Sequence, residues 1–425
     1  MQPIPFARPS IGEREIAAVT RVLRSGWLTT GAEALAFEQE FAAAVDSAHA
    51  LAVTSATAGL HLALEAVGTR PGDTVVVPSL TFTATAEVAR YLGAELVFAD
   101  VEADSLLMDP RDLERRIDAV RSSGGRVAAV IPVHLAGEAC RMHEICSVAG
   151  RQGIPVIEDA AHAFPGSVNG AALGTIGDLG VYSFYANKTI TTGEGGMVVT
   201  DNPDYARRVA LMRNHGIDRE AWTRYTDAGV DPGDAAAAAV PAWYYEVVAA
   251  GYKYNLPDTA AALGRVQLER SRELYDARKQ RADRYSRELA ALADRGLLTL
   301  PRPSPGHAWH LYVIRLRQVS DTRARDALIE ELRNRRIGTS VHYIPLHRMP
   351  YWNGRYPHAA ASLPHTEARF REIVSLPLYP DLSDEDQSRV IAALYDVLGS
   401  APPARSTDAG SGGARRLSEV SPLDA

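Results

Sequence analysis

The chain has 425 residues and a formal net charge of −7, with 46% apolar and 23% charged residues. This length favours two to three domains, and the composition is that of a globular protein with a large core. The negative charge argues against nucleic-acid binding, which needs a basic stripe, and no apolar stretch approaches the ~20 residues that span a bilayer.

The amino terminus, Met1–Pro5, has neither the basic segment nor the apolar core of a signal peptide, so the expected location is the cytoplasm. Cys140 and Cys146 are too few for a disulfide framework and are expected to be reduced packing residues. The 12 histidines include no His-Glu-x-x-His pattern, and there is no P-loop motif. We therefore expect no metal site and no nucleotide-triphosphate loop.

Two amphipathic helices are predicted first, over Glu13–Leu23 and Ala34–Val45. From about residue 50 to 200, short apolar runs alternate with helix-like segments, and many runs are too apolar to have a solvent-facing side. Such strands, separated by helices, predict a mostly parallel central sheet covered by helices on both faces. The predicted strands are Thr74–Val77, Glu95–Ala99, Val127–Val133, Pro155–Glu158, Leu179–Phe184 and Met197–Thr200.

The second half of the chain predicts a smaller domain. Thr226–Val240 has the composition of a mobile surface excursion, and Asp258–Leu292 predicts a long helix that leads away from the large domain. The remaining signals, strand, helix, strand and helix, indicate an α+β domain. They are Trp309–Leu316, Arg323–Arg335, Gly338–Tyr343 and Asp384–Leu398. We expect a large domain over 1–257, the linking helix and small domain over 258–400, and a disordered tail over 401–425.

Only three lysines occur in the chain, namely Lys188, Lys253 and Lys279. Arginine therefore serves wherever a positive charge alone is needed, and a retained lysine suggests amine chemistry. A lysine whose pKa is lowered by its surroundings attacks a carbonyl and forms a Schiff base, which arginine does not. Lys188 lies between a predicted strand and the turn Gly193–Gly196, where active sites of α/β proteins are built. The alternative is an ordinary surface lysine.

Two further sequence features predict which cofactor binds near Lys188. Asp159 closes a predicted strand, from where its carboxylate can pair with a protonated pyridine nitrogen; the alternative is a helix cap. The small and hydroxyl-bearing residues Thr54–Gly59 precede an apolar helix. Such a helix N-terminus can bind a phosphate group; the alternative is that these residues only cap the helix. A phosphate cradle, a carboxylate and a lone lysine in one crevice predict pyridoxal 5′-phosphate as the cofactor.

Four separate motifs, in order, resemble those of the DegT-type nucleotide-sugar aminotransferases, which are pyridoxal-phosphate enzymes of the aspartate aminotransferase fold. The motifs are Ser-Gly-Trp-Leu-Thr-Thr-Gly at 25–31, Glu-Asp-Ala-Ala-His at 158–162, Ser-Phe-Tyr-Ala-Asn-Lys-Thr-Ile-Thr-Thr-Gly-Glu-Gly-Gly at 183–196 and Gly-Tyr-Lys-Tyr-Asn-Leu-Pro-Asp at 251–258. The resemblance runs from about Ile4 to Leu398. It implies an α/β type I transferase fold with a mostly parallel sheet and a smaller C-terminal α+β domain.

The resemblance also implies roles for individual residues. Lys188 would bind the cofactor covalently, Asp159 would pair with the pyridine nitrogen, and His162 would lie near the ring. Phe82 would stack on the ring, with a core phenylalanine as the alternative. The residues that would hold the phosphate are Ala56, Thr57 and Ser183, and Ala56 replaces the glycine of many relatives.

The resemblance further implies a homodimer with shared active sites. Lys253, where many relatives have asparagine, or the nearby Asn255 would contact the phosphate of the neighbouring subunit; the alternative for Lys253 is an exposed loop lysine. The residues expected to line the sugar pocket are Trp27, Thr29, Thr30, His310, Tyr343 and His347. The alternative for His310 is that it is a core histidine with its hydrogen bonds satisfied. The alternative for His347 is that it only orders its loop.

The implied reaction moves an amino group from an amino acid, L-glutamate by resemblance, to a keto group of a nucleotide-linked sugar. Position C4 of the sugar is the expected acceptor. Three alternatives remain open: a keto-cyclitol aminotransferase of antibiotic biosynthesis, a non-catalytic sugar-binding regulatory relative, and a deoxysugar dehydratase. The last typically replaces the cofactor lysine by histidine, so Lys188 argues against it.

Overall fold

The computed structural model describes residues 2–218, 245–317 and 319–399. The predicted excursion Thr226–Val240 and the predicted tail 401–425 lie outside these residues. The strands in chain order are β1 (His49–Val53), β2 (Thr74–Pro78), β3 (Glu95–Ala99), β4 (Val127–Val130), β5 (Ile157–Asp159), β6 (Ser167–Val168), β7 (Ala171–Ala172), β8 (Leu179–Ser183), β9 (Gly196–Thr200), β10 (Ile217–Asp218), β11 (Glu246–Val247), β12 (Leu298–Thr299), β13 (Tyr312–Leu316) and β14 (Ile373–Leu376).

Helices surround these strands, and those predicted at Glu13–Leu23, Ala34–Val45, Arg323–Arg335 and Asp384–Leu398 are present with ends within about two residues of the predicted ones. The α-helices are α1 (Glu13–Ser25), α2 (Ala32–Val45), α3 (Ala56–Ala66), α4 (Ala84–Tyr91), α5 (Pro110–Ser122), α6 (Met142–Gly150), α7 (Pro203–Met212), α8 (Asp258–Glu269), α9 (Ser271–Glu288), α10 (Ala290–Asp294), α11 (Arg323–Asn334), α12 (Pro350–Arg355), α13 (Pro364–Glu372) and α14 (Asp384–Gly399). None of the helices in the described ranges is long and apolar enough to cross a membrane.

One central sheet runs through the large domain in the strand order β1-β9-β8-β5-β4-β2-β3. Isolated parallel bridges, Val130 with Val156 and Val133 with Asp159, connect its two halves. Strand β9 is antiparallel to both of its neighbours, whereas the other pairs are parallel. The prediction of a mostly parallel sheet is therefore confirmed. Strand β1, which the sequence analysis did not predict, forms the edge beside β9.

Helix α3 shows why the sheet is covered on both faces. Its Leu60, Leu62 and Leu64 are all buried although they do not share one helical face, so the helix has no solvent side along this stretch. Each buried leucine stabilises the folded state by about 1.5–3 kcal/mol relative to an exposed leucine. This packing holds the first turn of α3 rigidly at the end of β1, where a ligand site is expected.

The predicted helix Asp258–Leu292 is in fact three helices, α8, α9 and α10, which meet at Arg270 and Leu289. At both junctions ψ is 0°, so the hydrogen-bond ladder is interrupted although no proline or glycine is present. The interruption separates α8, which packs on α1 and α2, from α9, which runs to the small domain. Tertiary packing rather than local sequence decides these breaks.

The small domain has an antiparallel sheet in the order β12-β13-β14 with α11 and α14 packed beside it. The predicted strand Gly338–Tyr343 was wrong. Only Ser340 pairs there, with Ser375 of β14, because the chain then leaves the sheet and brings Tyr343 to His162 in the large domain. The third strand is instead β14, whose run is short and buried on both sides.

Candidate active site

Two of the predicted site residues, Asp159 and Lys188, lie at one edge of the central sheet. Asp159 ends β5, and Lys188 lies in the loop between β8 and β9. Parallel strands present their carboxyl ends at the same edge, so residues distant in sequence meet there. The Lys188 loop is braced by hydrogen bonds from Phe184 N to Gly195 O (2.9 Å) and from Lys188 N to Tyr185 O (2.9 Å). These bonds fix where the lysine leaves the backbone.

The amine of Lys188 lies 3.4 Å from Nε2 of His310, which comes from the small domain. Burial lowers the pKa of Lys188 to about 7; the positive charge of Arg278 acts in the same direction, and the carboxylate of Asp159 opposes both. At neutral pH a substantial fraction of Lys188 is therefore the uncharged amine. That form is the nucleophile and the proton acceptor, whereas an ordinary surface lysine is almost fully charged.

Asp159 is buried and holds two hydrogen bonds from its own chain. The hydroxyl of Thr85 donates to Oδ2 at 2.7 Å, and the backbone N–H of Ala161 donates to Oδ1 at 3.1 Å. Burial raises the pKa of Asp159, while these two donors act against the rise. A turn rather than a helix follows Asp159, so the alternative that it caps a helix is excluded. Each oxygen retains a lone pair for a further donor.

Glu158, next in the chain to Asp159, has a different task because successive side chains of a strand point to opposite faces. Its carboxylate is fully buried and accepts hydrogen bonds from the backbone N–H groups of Gly174, Ile176 and Gly177 and from His134. It thereby fixes the loop that leads into β8. Only the second carboxylate of the Glu-Asp pair reaches the site.

A cradle of backbone N–H groups opens at the start of α3. Ser55 caps the helix through Ala58 N (3.0 Å), and the N–H groups of Ala56 and Thr57 have no acceptor among the described residues. Strand pairing places Ser183 of β8 opposite Gly196 of β9, beside this helix start. A Cβ on Gly196 would lie 2.7 Å from Ala56 N, so this close approach requires glycine. Free N–H groups at a helix start are an anion site.

Aromatic side chains border the space between Lys188 and Asp159. Phe82 is 56% exposed, so it is not a core phenylalanine, and its ring lies 5.8 Å from that of Tyr343. The Tyr343 hydroxyl lies 3.1 Å from His162 Nε2, and Ala136 N donates to His162 Nδ1. The neutral His162 ring therefore carries its proton on Nε2 and donates it to Tyr343. Burial lowers the pKa of His162 well below its usual value.

This set of groups fits pyridoxal 5′-phosphate. The unpartnered N–H groups of Ala56 and Thr57 suit a phosphate, the free lone pairs of Asp159 suit a protonated pyridine nitrogen, and the exposed ring of Phe82 suits stacking on a planar heterocycle. A metal ion has no comparable support, because the described residues contain no cluster of metal-ligating side chains.

The two predicted sugar-pocket histidines differ in their surroundings. The His310 ring packs against that of His162, with 4.2 Å between centroids and 47° between the ring planes. His310 also contacts Lys188 and leaves its buried Nδ1 without a partner, which favours a site residue over a satisfied core histidine. His347 bonds Ser79 through Nδ1 and Glu367 through Nε2, both at 2.7 Å. No ring nitrogen of His347 is left for a substrate, which favours the alternative that it orders its loop.

The motifs at 25–31 and 251–258 join each other rather than Lys188. Asn255 Nδ2 donates to the Thr30 hydroxyl, which donates to Leu256 O, both at 2.6 Å. The carboxylate of Asp258 accepts from backbone N–H groups at the start of α2. Thr29 belongs to this unit through its carbonyl, which accepts from Asp258 N.

Lys253 and Trp27 lie on the outside of this unit. The Lys253 amine is exposed and donates to Asn255 Oδ1 at 2.6 Å, within its own loop. Trp27, Leu28 and Leu35, which lie close together in sequence, expose 60%, 47% and 55% of their surface, and we refer to these three side chains as the apolar patch. The same loop also runs beside the end of β1, with Thr54 N donating to Tyr254 O. The predicted roles of these residues therefore depend on what covers the patch.

Two residues that touch this machinery were missed by the sequence analysis. The Thr85 hydroxyl accepts from Thr81 at 2.7 Å and donates to Asp159, and nothing in the sequence links a threonine to a carboxylate 74 residues later. Arg278 lies in a strongly charged helical run, where arginines are expected to face solvent. It is nevertheless among the largest fully buried side chains.

Comparison with known proteins gives a family match across nearly the whole chain. The model of the DegT/DnrJ/EryC1/StrS aminotransferase family matches residues 9–395. The spore coat polysaccharide biosynthesis protein SpsC of Bacillus subtilis (strain 168) is 40% identical over 397 residues, which cover 93% of this chain and 97% of SpsC.

Solved structures agree with the sequence match. Spr1654 of Streptococcus pneumoniae, described as a sugar aminotransferase, superposes with TM-scores of 0.83 in its PMP form and 0.82 in its PLP form, at 29% identity. The alignments cover 94% of this chain and 98% or 99% of Spr1654. DesV of S. venezuelae is 31% identical with a TM-score of 0.80, over 95% of this chain and 100% of DesV.

Proposed function

Because the chain belongs to the DegT/DnrJ/EryC1/StrS aminotransferase family, we propose that it moves an amino group from an amino acid to a keto group of a nucleotide-linked sugar. Sugar aminotransferase activity and dependence on pyridoxal phosphate follow from the family and its solved relatives. The observation that carries the residue assignment is the position of the Lys188 amine, 3.4 Å from His310 Nε2 and within the electrostatic influence of the buried Asp159 carboxylate. This pairing supplies a nucleophile and an anion in one crevice.

When bound, pyridoxal phosphate supplies an electron sink that lets a proton leave the donor's α-carbon. Lys188 would hold the cofactor through Nζ, and the same atom would accept that proton. His310 Nε2, within 3.4 Å, accepts an N–H of the amine and so orients its lone pair. One amine at one position then serves both half-reactions, because each moves a proton on the same face of the site.

Asp159 would hold the pyridine nitrogen in its protonated form. For this its carboxylate must be ionised despite burial, which raises its pKa. The Thr85 hydroxyl and Ala161 N–H donate to the ionised form and favour it. The N–H groups of Ala56 and Thr57 would bind the phosphate, and Phe82 would cover one face of the ring.

We propose a nucleotide-linked 4-keto sugar as the acceptor, with L-glutamate as the donor. The segments at 251–255 and His307–His310 support this choice by their resemblance to those of enzymes that aminate 4-keto pentoses and hexoses. Incubation of the enzyme and cofactor with glutamate and a panel of nucleotide-linked keto sugars should give a 4-amino product, read by mass. Amination of a free keto-cyclitol, without turnover of any nucleotide sugar, would instead favour the cyclitol alternative.

We further propose a homodimer in which each subunit completes the other's site. The joined motifs at 25–31 and 251–258 support it, because they present predicted substrate and cofactor residues beside an apolar patch and contact no part of their own Lys188 loop in the hydrogen bonds of the described residues. A two-fold axis beside the crevice covers such a patch on both subunits.

A subunit-exchange experiment tests the shared site. Lys188→Ala and Lys253→Ala, each impaired alone, should regain activity when mixed, since a hybrid dimer has one doubly defective and one intact site. Random reassortment predicts roughly a quarter of wild-type activity. A mixture of Lys188→Ala with Lys279→Ala, an exposed lysine on α9 paired with Asp283, should give about half of wild-type activity with or without exchange and sets the activity scale, while native mass spectrometry verifies the exchange. If exchange is verified and no activity returns, Lys253 acts within its own chain or away from the cofactor.

A further inference from the structure

A buried arginine without an acidic partner contacts the backbone next to Lys188. Arg278 of α9 is 2% exposed, and no carboxylate forms an ion pair with it among the described residues. Its guanidinium instead donates to three backbone carbonyls and leaves Nε without a partner. Buried charges in proteins are nearly always paired, so an unpaired one calls for a role. The three acceptors are Leu378 O (3.0 Å), His310 O (3.3 Å) and Asn187 O (3.3 Å).

Two of these carbonyls belong to the machinery of the site. Asn187 immediately precedes Lys188, and the imidazole of His310 lies 3.4 Å from the Lys188 amine. Arg278 thus joins the large-domain loop that carries the nucleophile to the small-domain segment that carries its neighbour. The planar guanidinium serves several acceptors in fixed directions, which an ammonium group at the same place does not.

The charge of Arg278 acts on the same amine. The titratable groups that face Lys188 come from β5 and the turn after it, from the segment before β13, from the loop after α11 and from α9; they are Asp159, His162, His310, His342 and Arg278. Burial lowers the pKa of all three histidines, and that of His342 to about 4, so they are neutral at physiological pH. Among these groups, Asp159 carries the charge opposite to that of a protonated Lys188, and Arg278 carries the same charge.

We propose that Arg278 is a positioning residue of the active site: its guanidinium fixes the Lys188 loop against His310, and its positive charge favours the uncharged amine of Lys188. A like charge across a poorly solvated interior disfavours a second cation far more strongly than it would in water. The unpaired burial of Arg278 is then explained, because an acidic partner would cancel the effect.

This inference rests on the proposed role of Lys188, and the test separates the two. The cofactor-free full-length enzyme is labelled with trace acetic anhydride over a range of pH, and the acetylated fraction of each lysine peptide is read by mass. Only three lysines compete, and the exposed Lys279, whose pKa is raised by its hydrogen bond to Asp283, is the internal reference for a charged surface amine. In the wild type, Lys188 should show a midpoint near 7, where its pKa lies. A wild-type midpoint equal to that of Lys279 would overturn the role of Lys188 and this inference together.

Arg278→Gln removes the charge and keeps a hydrogen-bond donor. The Lys188 midpoint is expected to rise by about one pH unit or more, since one like charge is lost from a buried environment. Arg278→Lys keeps the charge and should hold the midpoint close to that of the wild type, although it loses the planar guanidinium with its several N–H donors. Arg272→Gln, at an exposed position one residue from the start of the same helix, is the matched control and should change nothing.

A folded Arg278→Gln variant with an unchanged Lys188 midpoint would overturn the inference while leaving the role of Lys188 intact. If the glutamine variant does not fold, Arg278→Met provides the neutral side chain, because an apolar chain of similar length is often tolerated in place of a buried charge. The same rise of the midpoint is then expected. A purely structural arginine would change the melting temperature in these variants without moving the titration of Lys188.

Discussion

Lys188→Ala is expected to lose turnover by a factor of at least about 10⁴ while keeping its fold. The nucleophile and the proton acceptor are one atom, so both functions are lost together. The Lys188 side chain projects from a loop that backbone hydrogen bonds hold in place, and truncation to alanine leaves those bonds intact. Single-turnover rates with glutamate measure the loss, and circular dichroism checks the fold. Lys279→Ala, which removes an exposed helix lysine, is the matched control and should retain full activity.

Covalent mapping tests the same assignment directly. Borohydride reduction of the loaded enzyme should place the phosphopyridoxyl group on the peptide with Lys188. A label on Lys253 or Lys279, or on no lysine, would contradict the assignment. Capture of the cofactor should also slow by about tenfold per pH unit below pH 7, because the reactive form of Lys188 is the uncharged amine and its pKa lies at about 7.

Asp159→Asn should slow both half-reactions by about 10²–10³-fold with the cofactor still bound. An amide does not keep the pyridine nitrogen protonated, so the charge that stabilises the carbanion is lost. The amide oxygen still accepts from Ala161 N, and the Thr85 hydroxyl can accept from the amide N–H group if it donates to Thr81 instead, so the local structure should persist. Cofactor occupancy is read from absorbance, and each half-reaction from stopped-flow traces. Asp109→Asn, at the cap of α5, is the control.

The sign of the stability change distinguishes this effect from unfolding. Burial raises the pKa of Asp159, so the ionised carboxylate destabilises the cofactor-free fold as the pH rises above the ordinary aspartate pKa. Asparagine removes this charge, and the melting temperature of the cofactor-free variant at neutral pH should equal or exceed that of the wild type. Unchanged turnover with full occupancy would show that Asp159 has no part in the chemistry.

Much of the fold was predictable because its signals are local. The runs that became β2, β3 and β8 are short, apolar and bounded by turn residues, and their placement between helices indicates a parallel sheet. Where prediction failed, the cause lies in contacts distant in sequence. The strand expected at Gly338–Tyr343 is displaced by β14, and the helix expected from Asp258 breaks at Arg270, because packing against separate domains decides both.

The sequence by itself determined the chemistry of this protein. A lysine retained in a chain that otherwise uses arginine, an aspartate at a strand end and a hydroxyl-rich helix start point to one cofactor through residue type and local spacing alone. Only the tertiary structure decided how that chemistry is tuned. The bond from Arg278 to Asn187 O spans 91 residues, and the contact between Lys188 and His310 spans 122. Burial and charge at such distances exist only once the chain has folded, so no local pattern encodes the pKa of the lysine.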